Sequence, residues 1–203
     1  MSTDKQAAPG RPRQFADEDI IDAAVAVFGA HGYAGTSAQA LCEGTGLGRG
    51  SLYNAFGSKQ ALYEQALLRS HEQTMAAQLA ILNQPTQVKA RLEALLQWGI
   101  AEDLHQPDQH HAMVLFAGLE RGSKDEAVAR LNQEYRQRLE QALIDAISEG
   151  QNSGELPQHT PAIQMARAFL AGYYGLRVLG KNSTDAVMLA DVVMGLLAPL
   201  SIK

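Results

Sequence analysis

Cysteine is almost absent from this 203-residue sequence. The single thiol, Cys42, excludes an intramolecular disulfide framework and any multi-cysteine zinc or iron–sulfur centre. Aromatic residues make up only 6% of the chain. No apolar run reaches the roughly eighteen residues of a membrane span, and the polar first residues lack the apolar centre of a signal peptide. A cytoplasmic protein with no membrane partner is expected. Excess positive charge is missing as well: 17 Lys and Arg stand against 22 Asp and Glu, a formal charge of −5. Bulk charge would not hold such a chain on a polyanion, so any nucleic-acid contact must be local. Gly-x-Ser-x-Gly, phosphate-loop and dinucleotide fingerprints are also lacking, which argues against an enzyme.

What the sequence has in quantity is helical periodicity. Ile20, Ile21, Ala24, Val27, Phe28 and His31 form one apolar stripe, Asp17 to Asp19 favour the positive end of a helix, and Gly32 is expected to stop it. Thr36 or Ser37 caps a short second helix that closes at Gly44–Gly46. A third spans about Gly48 to Ala55, and Ser58 caps a longer fourth. Five more follow. Thr86 opens the fifth, Pro107 and Asp108 the sixth, which ends at Gly122, and a stripe from Val128 to Ala146, closed by Gly150, marks the seventh. Thr160–Pro161 reads as an N-cap followed by a first-turn proline, with Gly180 ending that helix and Ser183 or Thr184 starting the last. Period-two alternation is nowhere sustained, so the expected fold is all-α with nine helices.

The joints divide the chain. Residues 1–14 are polar and read as a disordered arm; residues 15–59 hold short helices with glycine-rich joints; residues 60–203 hold long helices. Through residue 60, five Lys or Arg face six Asp or Glu, a balance of −1. Five of those acids lie at or before the first helix, however, while Arg49 and Lys59 flank the third. One face could still be positive.

Residues Ser37 to Phe56 have the layout of a helix-turn-helix. Cys42 is the small residue expected at the helix crossing, Gly46 tolerates the positive φ of the turn, and Leu41, Leu47 and Leu52 are spaced to plug the space between the helices. Arg49, Gly50, Ser51, Tyr53 and Asn54 then point outward, short or polar apart from one tyrosine, as suits a helix that enters a major groove.

These residues sit in a longer pattern: Gly10-Arg11-Pro12-Arg13, then Ile20, Ala24, Phe28 and Gly32 to Ser37, then Gly46 to Lys59. In that order and spacing the run of about fifty residues resembles the N-terminal domain of the tetracycline-repressor (TetR) family. The resemblance implies a homodimeric, ligand-responsive regulator, most often a repressor, that binds a double-stranded, near-palindromic DNA operator and needs no cofactor or metal. Carried onto this chain, it makes Arg49, Ser51 and Asn54 the base-edge readers. Thr36, Ser37, Tyr53 and Lys59 would hold phosphates, Gly50 would permit close backbone approach, and Arg11 and Arg13 would reach into a minor groove. One departure is Gly48, where the family often has a serine that would offer a hydroxyl to a phosphate.

In the second part the resemblance is architectural only. Trp98, Met113, Phe116, Glu120 and Tyr173 fall on helices that would enclose a cavity for a mostly apolar small-molecule inducer. Ala168, Ala171, Gly172 and Gly175, with Val192 and Leu196, would form the dimer interface through the last two helices; packing within one chain has the same composition. Cys42 reads as a packed residue rather than a redox sensor, and His105, His110 and His111 lack the spacing of a metal site. A small helical enzyme or ligand carrier relying on His105 and Glu120 is the competing reading. An activator, or a repressor released by oxidation at Cys42, is the variant that keeps DNA binding.

Overall fold

The computed structural model describes residues 17–105, 111–183 and 185–201. Among them the chain forms nine α-helices and no strand: α1 (Asp17–Gly35), α2 (Ala38–Thr45), α3 (Arg49–Phe56), α4 (Lys59–Leu82), α5 (Val88–His105), α6 (His111–Arg121), α7 (Glu126–Asn152), α8 (Ala162–Asn182) and α9 (Ala186–Leu197). A single 3-10 turn, Ala198–Leu200, follows. The all-α architecture expected from the sequence is what the chain adopts. No helix among the described residues is long and apolar enough to cross a membrane.

Local chemistry accounts for most helix ends. The Ser37 and Ser58 hydroxyls accept from Ala40 N–H and Ala61 N–H, both at 3.0 Å, and so satisfy first-turn donors of α2 and α4. Asp125 does the same for α7 and Asp185 for α9, each with one carboxylate oxygen shared between two N–H groups. The α9 cap is therefore Asp185 rather than Ser183; Thr184 lies outside the described residues, as do Pro107 and Asp108. Pro161 is itself the N-cap of α8, so the helix begins one residue later than a Thr160 cap implies, with the Pro161 carbonyl accepting from Gln164 and Met165 N–H. Gly150 and Gly180 do not end their helices, because neither takes a positive φ; Gly150 instead lets Leu156 approach so closely that a Cβ would lie 2.7 Å from its Cγ. Gly32, with φ 66° and ψ 176°, breaks α1 but does not end it, since a short turn continues to Gly35.

Two apolar clusters organise the packing. One gathers Val25 and Phe28 of α1, Leu41 of α2, Leu52 and Phe56 of α3, Leu62, Tyr63, Ala66 and Leu67 of α4, Met113 and Ala117 of α6, and Val128 of α7. The other is built from the far end of α4 with α5, α7, α8 and α9. The long helix α4 thus contributes to both, and α6 packs its inner face on the N-terminal cluster.

Candidate nucleic-acid interface

Between α2 and α3 the sequence needs a sharp reversal, and Gly46 provides it in the left-handed region at φ 69°. Leu41 and Leu52 are wholly buried beneath the turn and Leu47 is half-buried beside them. Cys42 is half-buried against the N-terminal cluster, and α2 comes close to α1 at Gly44, where a Cβ would collide with Val27. Leu52 and Phe56 anchor α3, and because they share one side of the helix the other side must face outward.

That outer side carries Arg49, Gly50, Ser51 and Asn54, all exposed, with Tyr53 half-buried at its margin. Arg49, Ser51 and Asn54 have no side-chain hydrogen bond or ion pair among the described residues, and a Cβ at Gly50 would meet open space. Ser37 is exposed beside them, its oxygen occupied by Ala40 N–H and its own proton still available. Thr36 differs from expectation. It is 2% exposed, and its hydroxyl turns inward to donate to the Gly32 carbonyl at 2.6 Å, so the side chain is withdrawn from the surface by the geometry of the α1 break. Arg11 and Arg13 lie outside the described residues.

Lys59 opens α4 with its ammonium 4.4 Å from the centre of the Tyr33 ring, and Arg121 covers the same ring at 3.8 Å. Desolvation, followed by repulsion from Arg121, lowers the Lys59 pKa from its ordinary value. Tyr33 in turn packs edge-on against Tyr63, which packs edge-on against Phe28, with centroids 4.9 Å and 5.0 Å apart. An aromatic wedge therefore joins α1 to α4, with two cations at its outer end.

The five residues expected around one inducer cavity are not brought together. Met113, Phe116 and Glu120 border a small cavity of about 160 Å3 with Phe28, Gly32 and Tyr63, at the junction with α1. Trp98 and Tyr173 belong to the other cluster, Tyr173 buried with its hydroxyl accepting from Gln78 Nε2 at 3.2 Å and from Arg177 at 3.3 Å. The separation has a simple cause: Met113, Phe116 and Glu120 occupy the face of α6 that meets α1. The opposite face, with Val114, Gly118, Leu119 and Gly122, borders an apolar groove of about 920 Å3 closed by Tyr135 of α7 and by Tyr174, Val178 and Leu179 of α8. Burial raises the Tyr174 pKa to about 12, so this phenol is neutral in the groove wall.

Of the residues expected at a dimer face, Ala168, Ala171 and Gly175 are exposed. Gly172 and Leu196 instead pack on each other, since a Cβ at Gly172 would collide with the leucine, and Val192 is half-buried against the same core. Ile163, Leu179, Val187 and Met194 were not anticipated, yet they are exposed large apolar side chains on these same two helices. Cys42 has no cation within its own helix, and no group of three or more metal-ligating side chains occurs among the described residues. His110 and the side chains of His105 and His111 lie outside them.

Residues 20–66 match the family model of bacterial regulatory proteins of the tetR family. An uncharacterized HTH-type transcriptional regulator, YezE of Bacillus subtilis, is 29% identical over 186 residues, covering 91% of this chain and 95% of that protein. The HTH-type transcriptional repressor BdcR of Escherichia coli is 43% identical over 68 residues, 33% of this chain and 34% of BdcR. In solved structures the chain is similar to the TetR-family regulator CifR, in a cysteine-substituted form complexed with a 26-bp double-strand operator DNA, with a TM-score of 0.82 at 27% identity over 94% of this chain and 100% of that one. These relatives are transcriptional regulators rather than enzymes. Helix-turn-helix geometry, matched segment and whole-chain similarity agree: residues 20–66 form a DNA-binding segment of the tetR type, and the chain as a whole is similar to transcriptional regulators of that family.

Proposed function

We propose that this regulator is a repressor that binds a near-palindromic operator as a homodimer and is released by a small, mostly apolar inducer. The observation that carries the reading is the outer side of α3, where Arg49, Ser51 and Asn54 stand exposed and uncommitted above the buried Leu52 and Phe56. Arg49 pairs with guanine O6 and N7 and Asn54 with adenine N6 and N7, while Ser51 serves either base. Ser37, Tyr53 and Lys59 hold phosphates and fix register, and the missing side chain at Gly50 admits the backbone close to the duplex. Thr36 contributes through its backbone at most, since its hydroxyl is turned inward. Residues 15–59 act as the reading head and residues 60–203 as the regulatory and dimerising part.

Dimerisation sets the two α3 helices about 34–36 Å apart, one DNA turn. The exposed apolar stripe of α8 and α9, with Ala168, Ala171, Gly175, Leu179, Val187 and Met194, supports a self-complementary contact between two copies. The inducer site is the groove between α6, α7 and α8, whose apolar and aromatic walls suit a hydrophobic or aromatic molecule. A repressor role is supported by the name of BdcR, whose likeness falls on the reading head, and operator binding by the CifR complex.

The test is fluorescence anisotropy on a duplex that the wild-type protein enriches from a random-sequence pool. Arg49→Ala should cost about 1–3 kcal/mol and relax discrimination at one base pair of each half-site. Lys59→Ala should weaken all sequences alike and lower the salt slope by about one per bound protomer. Unchanged binding by both variants would refute the residue assignment.

A further inference from the structure

Glu120, in the last turn of α6, has both carboxylate oxygens on the backbone of another helix. Oε2 accepts from Tyr33 N–H at 2.9 Å and Oε1 from Ala34 N–H at 2.8 Å, across more than eighty residues of sequence. Those two donors have a particular origin. Gly32 leaves the helical region, so Tyr33 and Ala34 become the first residues of a new turn, whose opening N–H groups have no helical acceptor behind them. The carboxylate is thus an N-cap supplied from outside the helix, charged and using both oxygens. Gly32 also makes room for it, since a Cβ there would lie 3.0 Å from Oε2.

The capped turn leads directly into the reading head. Thr36, the residue after the turn, ties back to the Gly32 carbonyl, and Ser37 then caps α2. The ring of Tyr33 is held from above by Arg121, next to Glu120, and Arg121 is itself fixed by Asp125 at 2.7 Å and Gln60 at 2.9 Å. Helix α6 therefore grips the corner between α1 and α2 through two consecutive side chains. Its opposite face borders the apolar groove through Val114, Gly118, Leu119 and Gly122.

We propose that Glu120 is a positioning residue for DNA reading: its carboxylate holds the α1–α2 corner in the orientation from which α3 meets the duplex. This rests on the DNA-binding function assigned to the outer side of α3. Electrostatics alone gives the opposite sign. Removing an acid from a protein that approaches DNA strengthens binding, whereas loosening the grip weakens it.

The experiment uses the full chain and the duplex enriched by the wild type, with three proteins compared. Glu120→Gln removes the charge and keeps one acceptor oxygen; Glu120→Asp keeps the charge but is one methylene too short to serve both N–H groups. Both should lose about tenfold in affinity with an unchanged salt slope, because no phosphate contact is touched. In hydrogen exchange of the free proteins the Tyr33 and Ala34 amides should exchange about tenfold faster, with the α5 and α7 core amides unaltered. Affinity equal to or above wild type in both variants, or exchange that rises throughout the chain, overturns the proposal. Should the wild type enrich no duplex at all, the DNA-reading assignment falls, and the role of Glu120 with it.

Discussion

His71 makes stability depend on pH in a way that can be worked out beforehand. Its ring, 3% exposed on α4, stacks on Tyr135 with centroids 4.7 Å apart, and Nε2 lies 3.1 Å from Asn132 Oδ1. Burial lowers its pKa from 6.5 to about 4, against the smaller opposing effect of the Asn132 bond, with the nearby Arg138 adding least, in the lowering direction. In the unfolded chain the imidazole takes up a proton near pH 6.5, but in the folded chain only near 4. The stabilisation is therefore complete above about pH 6.5 and is lost as pH falls towards 4, by about 2 kcal/mol at pH 5 and about 3 kcal/mol at pH 4. Asp125 and Glu149, whose pKa values are lowered mainly by hydrogen bonds from Arg121 and Arg91, also lose stabilisation in acid. A comparison with His71→Gln cancels those contributions. Urea unfolding at pH 7.5, 6, 5 and 4, with chain concentration held fixed, should show the wild type losing about 2 kcal/mol more than the variant between pH 7.5 and 5. Parallel curves for the two proteins would refute the assignment of a buried, neutral histidine.

Two further outcomes follow from packing. Leu52→Ala, at a wholly buried position between α3 and the N-terminal cluster, should cost about 2–5 kcal/mol, and it should abolish operator binding before the rest of the chain melts, as read by circular dichroism alongside anisotropy. Met194→Glu combined with Val187→Glu places charges at residues now 62% and 73% exposed, so the isolated chain should keep its thermal stability while sedimentation shifts from dimer to monomer. A dimer that persists in the double variant would exclude this face.

The features legible in the sequence were those decided within a few residues. Ser37 and Ser58 cap where they were expected to cap, Gly46 turns the chain, and Leu41, Leu47 and Leu52 fill the space beneath, because each depends on spacing within a turn or two. The match of residues 20–66 to the family model falls on that same segment. Thr36 is withdrawn from the surface for a tertiary reason: the Gly32 break reorients the following turn, and the hydroxyl ends up inside. The close approach of Gly44 to Val27 has no local signal either, since it depends on how α2 lies on α1. The single cavity expected around Trp98 and Phe116 is divided because α6 presents different residues to α1 and to α7, a rotation about its axis that periodicity does not define. The capping role of Glu120 left no local signal, since its partners are on another helix far away in sequence.

The exposed side of α3 is assigned to read bases twice per dimer. Dimethyl sulfate protection on the enriched duplex tests it most directly, because methylation at guanine N7 reports the atom that Arg49 is assigned to contact. Two sets of protected guanines about 34–36 Å apart are expected, with protection of one guanine in each set lost in Arg49→Ala while the other guanines of the set stay protected. Protection confined to a single site, or a pattern identical in the wild type and Arg49→Ala, would contradict it.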